Sequence, residues 1–167
     1  PNATPAQAQA LTVPCEVMGQ FYPARDQDWY SIEAKAGDQL AIEIISDRLG
    51  LGTDPNLLIE RIDPPAEGET DPKITQVASV TQSEVPDSRP EFFTHNGDPV
   101  HLFTAESDGK YRLLVRDREN AIAANPQHVY RLVVRKANPD FRLAAVPIGS
   151  YSSLLLHKNG RVGLRVV

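Results

Sequence analysis

The stretch Lys-Tyr-Arg-Leu-Leu-Val-Arg-Asp at residues 110–117 decides the fold class of this chain. Tyr111, Leu113 and Val115 occupy alternate positions, and Arg112 and Arg116 belong to the opposite set. Because successive side chains of a strand point to opposite faces, this period of two predicts a β-strand with one buried face.

The same period of two recurs along most of the chain. Well-defined strands are predicted at residues 29–34, 39–46, 57–62 and 128–136, and weaker ones at residues 16–22, 74–80 and 100–104. Gly, Pro, Asn and Asp separate them, and one helical turn is predicted within residues 119–127. Short half-buried strands must stack their apolar faces on a second sheet. The sequence therefore predicts an all-β fold: a two-layer antiparallel β-sandwich of jelly-roll-like type, followed by a short C-terminal β-hairpin.

The composition limits the function further. The chain has 167 residues and a formal net charge of −5, from 17 Lys and Arg against 22 Asp and Glu. General nucleic-acid binding is not expected, since it needs many cationic side chains against the phosphates. No stretch approaches the ~20 consecutive apolar residues of a membrane span. The single cysteine, Cys15, excludes an internal disulfide and a thiolate zinc site, and we predict a buried, unreactive thiol there.

Three segments are expected along the chain. Residues 1–14 are predicted to form an N-terminal linker, and residues 15–146 the sandwich. Asn138-Pro139-Asp140 is a boundary signal, since proline cannot donate a ladder hydrogen bond. Beyond it, Asn159-Gly160 between two apolar runs is a strong hairpin signal. Residues 147–167 either begin a following domain, the interpretation we favour, or pack back on the sandwich.

Several short motifs resemble those of one bacterial family. They are Gly19-Gln20-Phe21-Tyr22, Asp26-Gln27-Asp28-Trp29-Tyr30, Ala36-Gly37-Asp38, Asp54-Pro55-Asn56-Leu57, the run at residues 108–115, and Tyr130-Arg131-Leu132. Over residues 2–146 the chain resembles the bacterial pre-peptidase C-terminal domain. The runs at residues 46–55 and 138–143 are especially similar to versions found in large exported proteins of planctomycete-type bacteria.

This resemblance implies a function. Such domains are small β-sandwiches appended to secreted peptidases and other exported enzymes, so it implies a noncatalytic accessory module in the periplasm, on the cell surface or outside the cell. Its partners would be the neighbouring domains of the same polypeptide, and an immunoglobulin-like domain would follow. Some relatives, including the collagen-binding modules of clostridial collagenases, bind calcium or a polymeric substrate. The alternative is a binding module for an extracellular polysaccharide or protein polymer, assisted by calcium.

No catalytic centre is predicted. The chain lacks both the Gly-x-Ser-x-Gly elbow of a serine hydrolase and the His-Glu-x-x-His helix of a zinc protease. Its four histidines, His95, His101, His128 and His157, are scattered and never paired at ligand spacing. We therefore expect no enzymatic activity in this chain, although the parent protein could carry an enzyme domain elsewhere.

Calcium is the one cofactor that the acidic loops suggest. Asp26 with Asp28, and Asp54 with Asn56, could supply the hard oxygen ligands that Ca²⁺ prefers. Asn96 and Asp98 form a third such pair. The alternative, which we favour, is that these side chains cap turns by accepting backbone N–H hydrogen bonds. Calcium-binding relatives use acids near the N-terminal linker, where this chain offers only Asn2.

Four arginines and one tryptophan are candidates for ligand binding. Arg112 and Arg116, and Arg131 and Arg135, would line one sheet face if their strands were neighbours, and could then bind a carboxylated or sulfated polymer. We favour instead pairing with acids such as Glu33, Glu43 and Glu60.

Trp29 is predicted to be an exposed aromatic able to stack on a sugar, with Tyr30 in the core. Arg48 is expected to bind Asp54 or Asp28.

Overall fold

Alternation of apolar and polar residues produces β-strands along much of the part of the chain that the structure describes. The computed structural model describes residues 2–82, 97–138, 145–147 and 164–166. The strands are β1 Gln9–Ala10, β2 Cys15–Gln20, β3 Asp28–Ala34, β4 Gln39–Ile45, β5 Pro55–Asp63, β6 Lys73–Val80, β7 Val100–Thr104, β8 Gly109–Asp117, β9 Val129–Lys136, β10 Ala145–Pro147 and β11 Leu164–Val166. Short helical turns occur at Pro5–Gln7 and Asp47–Leu49, both 3₁₀, and at Asn120–Ala123, α1.

Two sheets form the sandwich. Sheet A has the strand order β1-β3-β8-β5-β6, and sheet B has the order β2-β9-β4-β7. All pairings in both sheets are antiparallel except that of β1 with β3, which is parallel. The all-β sandwich expected from the sequence is confirmed.

The core lies between the two sheets and comes from the alternating residues. Tyr111, Leu113 and Val115 of β8 are buried there, as the sequence predicts. Leu132 and Val134 of β9 face them from sheet B in the same cluster. The residues of β3 and β4 that were expected to point inward are buried in it as well: Tyr30, Ile32, Ala34, Leu40, Ile42 and Ile44.

The segment at residues 2–14, expected to be a linker, is docked along sheet A. Gln9 and Ala10 form β1 and pair with Tyr30 and Ser31 of β3. The amide of Leu11 continues this contact by donating to the Ser31 carbonyl at 2.8 Å. Leu11 and Val13 pack against the core. Such hydrophobic contacts hold the segment in place even though β1 has only two residues.

The chain divides into two compact units. The first contains both sheets of the sandwich. The second contains β10 and β11, which pair antiparallel with Val146 opposite Arg165. The predicted turn at Asn159-Gly160 lies outside the described residues, and the predicted boundary at residue 146 stays a prediction. Among the described residues, no helix is long and apolar enough to cross a membrane.

Candidate functional site

Three loops meet at one end of the sandwich, which we call the loop end. They join β2 to β3 (residues 21–27), β4 to β5 (residues 46–54) and β8 to β9 (residues 118–128). The strand register places them together, because Gln20 lies opposite Val129 and Pro55 lies opposite Asp117. Most of the acidic residues singled out in the sequence lie here.

A buried chain of hydrogen bonds connects the two sheets at the loop end. The Tyr130 hydroxyl donates to Asp28 Oδ2 at 2.5 Å and lies 2.7 Å from the Tyr30 hydroxyl. Phe21 stacks on the Tyr130 ring at a centroid distance of 4.7 Å. Burial raises the pKa of Asp28 above its ordinary value, the hydrogen bond from Tyr130 opposes this, and the nearby charge of Asp26 adds to it. Asp28 is thus a structural acceptor that links β3 to β9.

Asp54 and Asn56, the second calcium pair, are also engaged. Asp54 Oδ2 forms an ion pair with Arg118 at 3.2 Å. Asn56 is buried, donates to the Val80 carbonyl at 3.1 Å and accepts a bond from Arg116 Nε at 3.0 Å. Across the part of the chain that the structure describes, no group of three His, Cys, Asp or Glu residues could hold a metal ion. Calcium binding stays a prediction, and the acids in the described residues form no carboxylate cluster that would support it.

Asp98, the member of the third acidic pair that is described, organises the β4–β5 loop. It is fully buried and accepts bonds from the amides of Ser46, Asp47 and Arg48. Its Oδ2 also binds Arg48 Nε at 2.6 Å, and Arg48 reaches Glu43 at 2.9 Å. The expectation that Arg48 binds Asp54 or Asp28 is therefore wrong. The backbone of residues 46–48 wraps around the Asp98 carboxylate, which brings this acid close to Arg48.

A second buried acid, Asp117, connects two of the loops. Its Oδ1 accepts bonds from the amides of Asp54 at 3.1 Å and Glu119 at 3.0 Å. Its Oδ2 lies 3.9 Å from Nδ1 of His128, whose side chain is only 12% exposed. Asn120 is fully buried and donates to the Pro23 carbonyl at 3.0 Å. Asp117 and Asn120 were not among the residues predicted from the sequence, since the backbone groups of Asp54 and Pro23 that they bind lie in other loops.

The four arginines do not form one stripe. Arg112 and Arg116 belong to β8 in sheet A, whereas Arg131 and Arg135 belong to β9 in sheet B. Their outward faces are on opposite sides of the sandwich, so the idea of a single cationic face is wrong. The pairing alternative holds for two of them, because Arg112 binds Glu60 at 2.7 Å and Arg131 binds Glu16 at 3.0 Å.

Trp29 is buried, with 6% of its surface exposed, so the prediction of an exposed sugar-stacking ring is wrong. Its strand lies between β1 and β8, and the Arg112 guanidinium carbon lies 5.4 Å from the ring centroid. Tyr30 is in the core, as predicted. Cys15 is only half-buried rather than buried, and partial burial raises the pKa of its thiol.

Three large apolar side chains are exposed on the loop end, one in each loop. They are Tyr22 (48% exposed), Leu49 (55% exposed) and Ile122 (88% exposed). The hydrogen bonds of Asp117, Asn120 and Asp98 described above hold these loops in place. Sequence periodicity does not detect such residues, because they lie outside the strands.

Comparison of the sequence with models of protein families and with curated proteins gives no match. Among solved structures, the chain is similar to the pre-peptidase C-terminal domain of a collagenase from Bacillus anthracis, with a TM-score of 0.50 and 15% identity over 77% of this chain and 94% of that domain. It is also similar to a surface-associated copper-binding protein of Methylomicrobium album, with a TM-score of 0.50 and 9% identity over 78% of this chain and 98% of the other. At these identities the likeness establishes a shared β-sandwich fold.

Proposed function

We propose that this chain is a noncatalytic accessory β-sandwich module of an exported multidomain bacterial protein, with a structural or interaction role between domains. The observation that carries the proposal is the fold match over 94% of the collagenase pre-peptidase C-terminal domain. The motif resemblance at residues 19–30 and 108–115 independently favours the same family, and the runs at residues 46–55 and 138–143 favour its planctomycete-type form. The surface-associated and collagenase-derived neighbours favour export to the periplasm, the cell surface or the medium.

The use of the polar side chains supports a structural role. The carboxylate oxygens of Asp28, Asp98 and Asp117 accept hydrogen bonds from a tyrosine hydroxyl or from loop amides. These bonds hold the loops at the loop end in place, which is a structural use of the three acids.

The second candidate is a module that binds an extracellular polysaccharide or protein polymer, with or without calcium. It is favoured by the exposure of Tyr22, Leu49 and Ile122 together at the loop end. Exposed apolar side chains on rigidly supported loops are typical of binding surfaces.

One set of measurements separates the candidates. The purified chain is applied to a glycan array and to collagen beads, with calcium and with EDTA, and is assayed for peptide and ester hydrolysis. An accessory module retains no ligand and hydrolyses nothing. Retention that Ile122→Ser abolishes and that the control Met18→Ser leaves intact would establish the binding module instead. Hydrolysis that disappears on replacing one nucleophile would overturn both.

A further inference from the structure

Three loops cross the loop end side by side. The strand orders place them, because β2, β9 and β4 are consecutive in sheet B and β3, β8 and β5 are consecutive in sheet A. Each loop joins a strand of the first set to a strand of the second. The β8–β9 loop is therefore the middle loop of a row, with the β2–β3 loop on one side and the β4–β5 loop on the other.

Hydrogen bonds join the middle loop to both of its neighbours. The amide of Arg118 donates to the Asp54 carbonyl at 2.9 Å, and its guanidinium pairs with the Asp54 carboxylate at 3.2 Å. On the other side, Asn120 donates to the Pro23 carbonyl at 3.0 Å. Because these bonds fix the loops before any partner arrives, docking on the row costs little conformational entropy.

Each loop of the row presents one large apolar side chain to solvent. Tyr22 and Leu49 belong to the two outer loops, and Ile122, the most exposed of the three, belongs to the middle one. Exposed apolar side chains that lie together mark sites of association. Leucine and isoleucine side chains have no polar atom that could bind a sugar hydroxyl, so the row fits a protein surface with apolar side chains of its own.

The two outer loops carry opposite charges that no ion pair uses. Arg25 of the β2–β3 loop is exposed, and Asp47 of the β4–β5 loop is half-buried. Neither belongs to an ion pair in the part of the chain that the structure describes. Asp47 Oδ2 accepts a bond from the amide of Gly97 at 2.8 Å, which leaves its charge uncompensated.

The charged neighbours of these two residues are already engaged within the chain. Arg48, next to Asp47, is paired with Asp98 and with Glu43. Asp26, on the other outer loop, accepts backbone hydrogen bonds from its own loop. A free cation at one end of the row and a free anion at the other make the row complementary to its own reverse.

We propose that the loop end is the interface of a weak two-fold dimer of this chain. The axis runs along the middle loop, so each β2–β3 loop lies against the β4–β5 loop of the second copy. Tyr22 then packs on Leu49, and Ile122 packs on its own copy. Arg25 pairs with Asp47 across the interface.

Charge selects this axis. An axis running across the row would place each loop on its own copy and bring the two Arg25 side chains together, which is unfavourable. The dimer is weak, with a Kd of about 0.1 mM, because three large side chains per copy are few for an interface. It goes beyond the accessory role proposed above, and it covers the surface that the polymer-binding candidate would need.

Sedimentation equilibrium of the purified chain at about 10 µM to 1 mM tests the dimer. The average mass should rise towards twice that of the chain. Ile122→Ser should weaken association at least about tenfold, since residues at the centre of an interface contribute most. Met18→Ser, at an exposed strand residue outside the loop end, should leave it unchanged. A chain that stays monomeric at the highest concentration, or an Ile122→Ser variant that associates as the original does, would refute the proposal.

A gain-of-affinity variant follows from the same axis. Glu119 precedes Ile122 by three residues on the middle loop and is exposed, so the two copies of this acid approach each other near the axis. Glu119→Gln removes that repulsion and should tighten the dimer about threefold. Weaker association of this variant would contradict an axis along the middle loop.

Charge reversal tests the pairing of the outer loops. Arg25→Glu alone and Asp47→Arg alone should each weaken association about tenfold, because each homodimer then brings like charges together. An equal mixture of the two variants should recover it, since both contacts of the mixed dimer join opposite charges. Thermal unfolding of each variant checks that it is folded. A mixture that associates no better than either variant alone would show that these two loops do not meet.

Discussion

Gly19 has a specific packing role at the edge of sheet B. It lies directly opposite Tyr130 in the β2–β9 pair, and a Cβ at this position would overlap the Tyr130 ring. Tyr130 cannot move aside easily, because it is 1% exposed, stacks on Phe21 and bonds to Asp28. We therefore expect Gly19→Ala to lower the free energy of unfolding by about 1–3 kcal/mol, the usual cost of overpacking. Urea denaturation measures this loss.

Met18 offers the matched control for that change. It is the neighbouring residue on β2 and is 77% exposed. Met18→Ala should change the free energy of unfolding by no more than about 0.5 kcal/mol. Equal effects of the two substitutions would mean that Tyr130 does not pack over the glycine.

Asp28 gives a prediction about pH. Burial raises its pKa in the folded state, so ionisation of this carboxyl opposes folding. Its contribution to stability is complete below its unfolded pKa of about 3.9 and is lost as the pH rises through the higher folded pKa. Asp28→Asn keeps an oxygen acceptor for Tyr130 but cannot ionise. The variant should therefore gain stability relative to the original chain as the pH rises from about 4 to 7.

Thermal unfolding of both proteins across that pH range measures the difference. The stability difference between them should be smallest at the acidic limit. A difference that is constant across the range, or that grows as the pH falls, would contradict the raised pKa of Asp28.

At the scale of elements, the β4–β5 loop depends on one carboxylate. Asp98 accepts three consecutive amides of residues 46–48 and binds Arg48, all from a buried position. Asp98→Ala leaves those three amides without their acceptor and leaves Arg48 with Glu43 as its remaining acidic partner. We expect a loss of about 3–5 kcal/mol, as for other broken buried pairs. Hydrogen exchange of the Ser46 and Asp47 backbone amides should accelerate as well, because these amides lose their acceptor.

Asp98→Asn is the informative comparison for this element. It retains one oxygen acceptor but loses the charge that Arg48 requires, so its loss of stability should be intermediate. Exchange of amides in β5 should increase less than that of residues 46–48 in both variants. Uniform acceleration throughout the chain would indicate global unfolding instead of release of this loop.

The strands could be predicted from the sequence, but their partners and some exposures could not. Alternation identified β8 and β9 because each buries one face, and that pattern is local. It missed β1, since two residues carry no period and the segment is held by Leu11 and Val13. It predicted an exposed Trp29 side chain, because the second face of a strand usually contacts solvent. Here β1, β8 and the Arg112 side chain surround that ring.

At the scale of the whole molecule, the separation of β8 and β9 into different sheets determines how the arginines act. Arg112 faces outward from sheet A and pairs with Glu60, both side chains being mostly buried. Arg131 faces outward from sheet B, on the other side of the core. The alternation of apolar and polar residues does not indicate which sheet a strand joins. The sequence therefore could not distinguish one stripe of four arginines from two pairs of arginines on separate sheets.

Double-mutant cycles test this separation. Arg112→Met and Arg131→Met should have additive effects on the free energy of unfolding, to within about 0.5 kcal/mol, because they are distant and share no partner. Arg112→Met and Glu60→Gln should be coupled by about 0.5 kcal/mol or more, since they are in contact. Strong coupling between Arg112 and Arg131 would place their strands side by side and contradict the sheet order.

The docked segment at residues 2–14 also affects how the sandwich would respond to mechanical tension. The Asn2 carbonyl accepts a bond from the Trp29 amide at the loop end, whereas β9 finishes at Lys136 at the opposite end. A pull between Asn2 and Lys136 therefore runs along the strands and loads the parallel β1–β3 bonds in shear. If the segment were detached, the pull would act from Cys15, which lies opposite Val134 at the same end as Lys136. It would then peel β2 from β9 one bond at a time, so these few residues decide whether the sandwich resists extension or unzips.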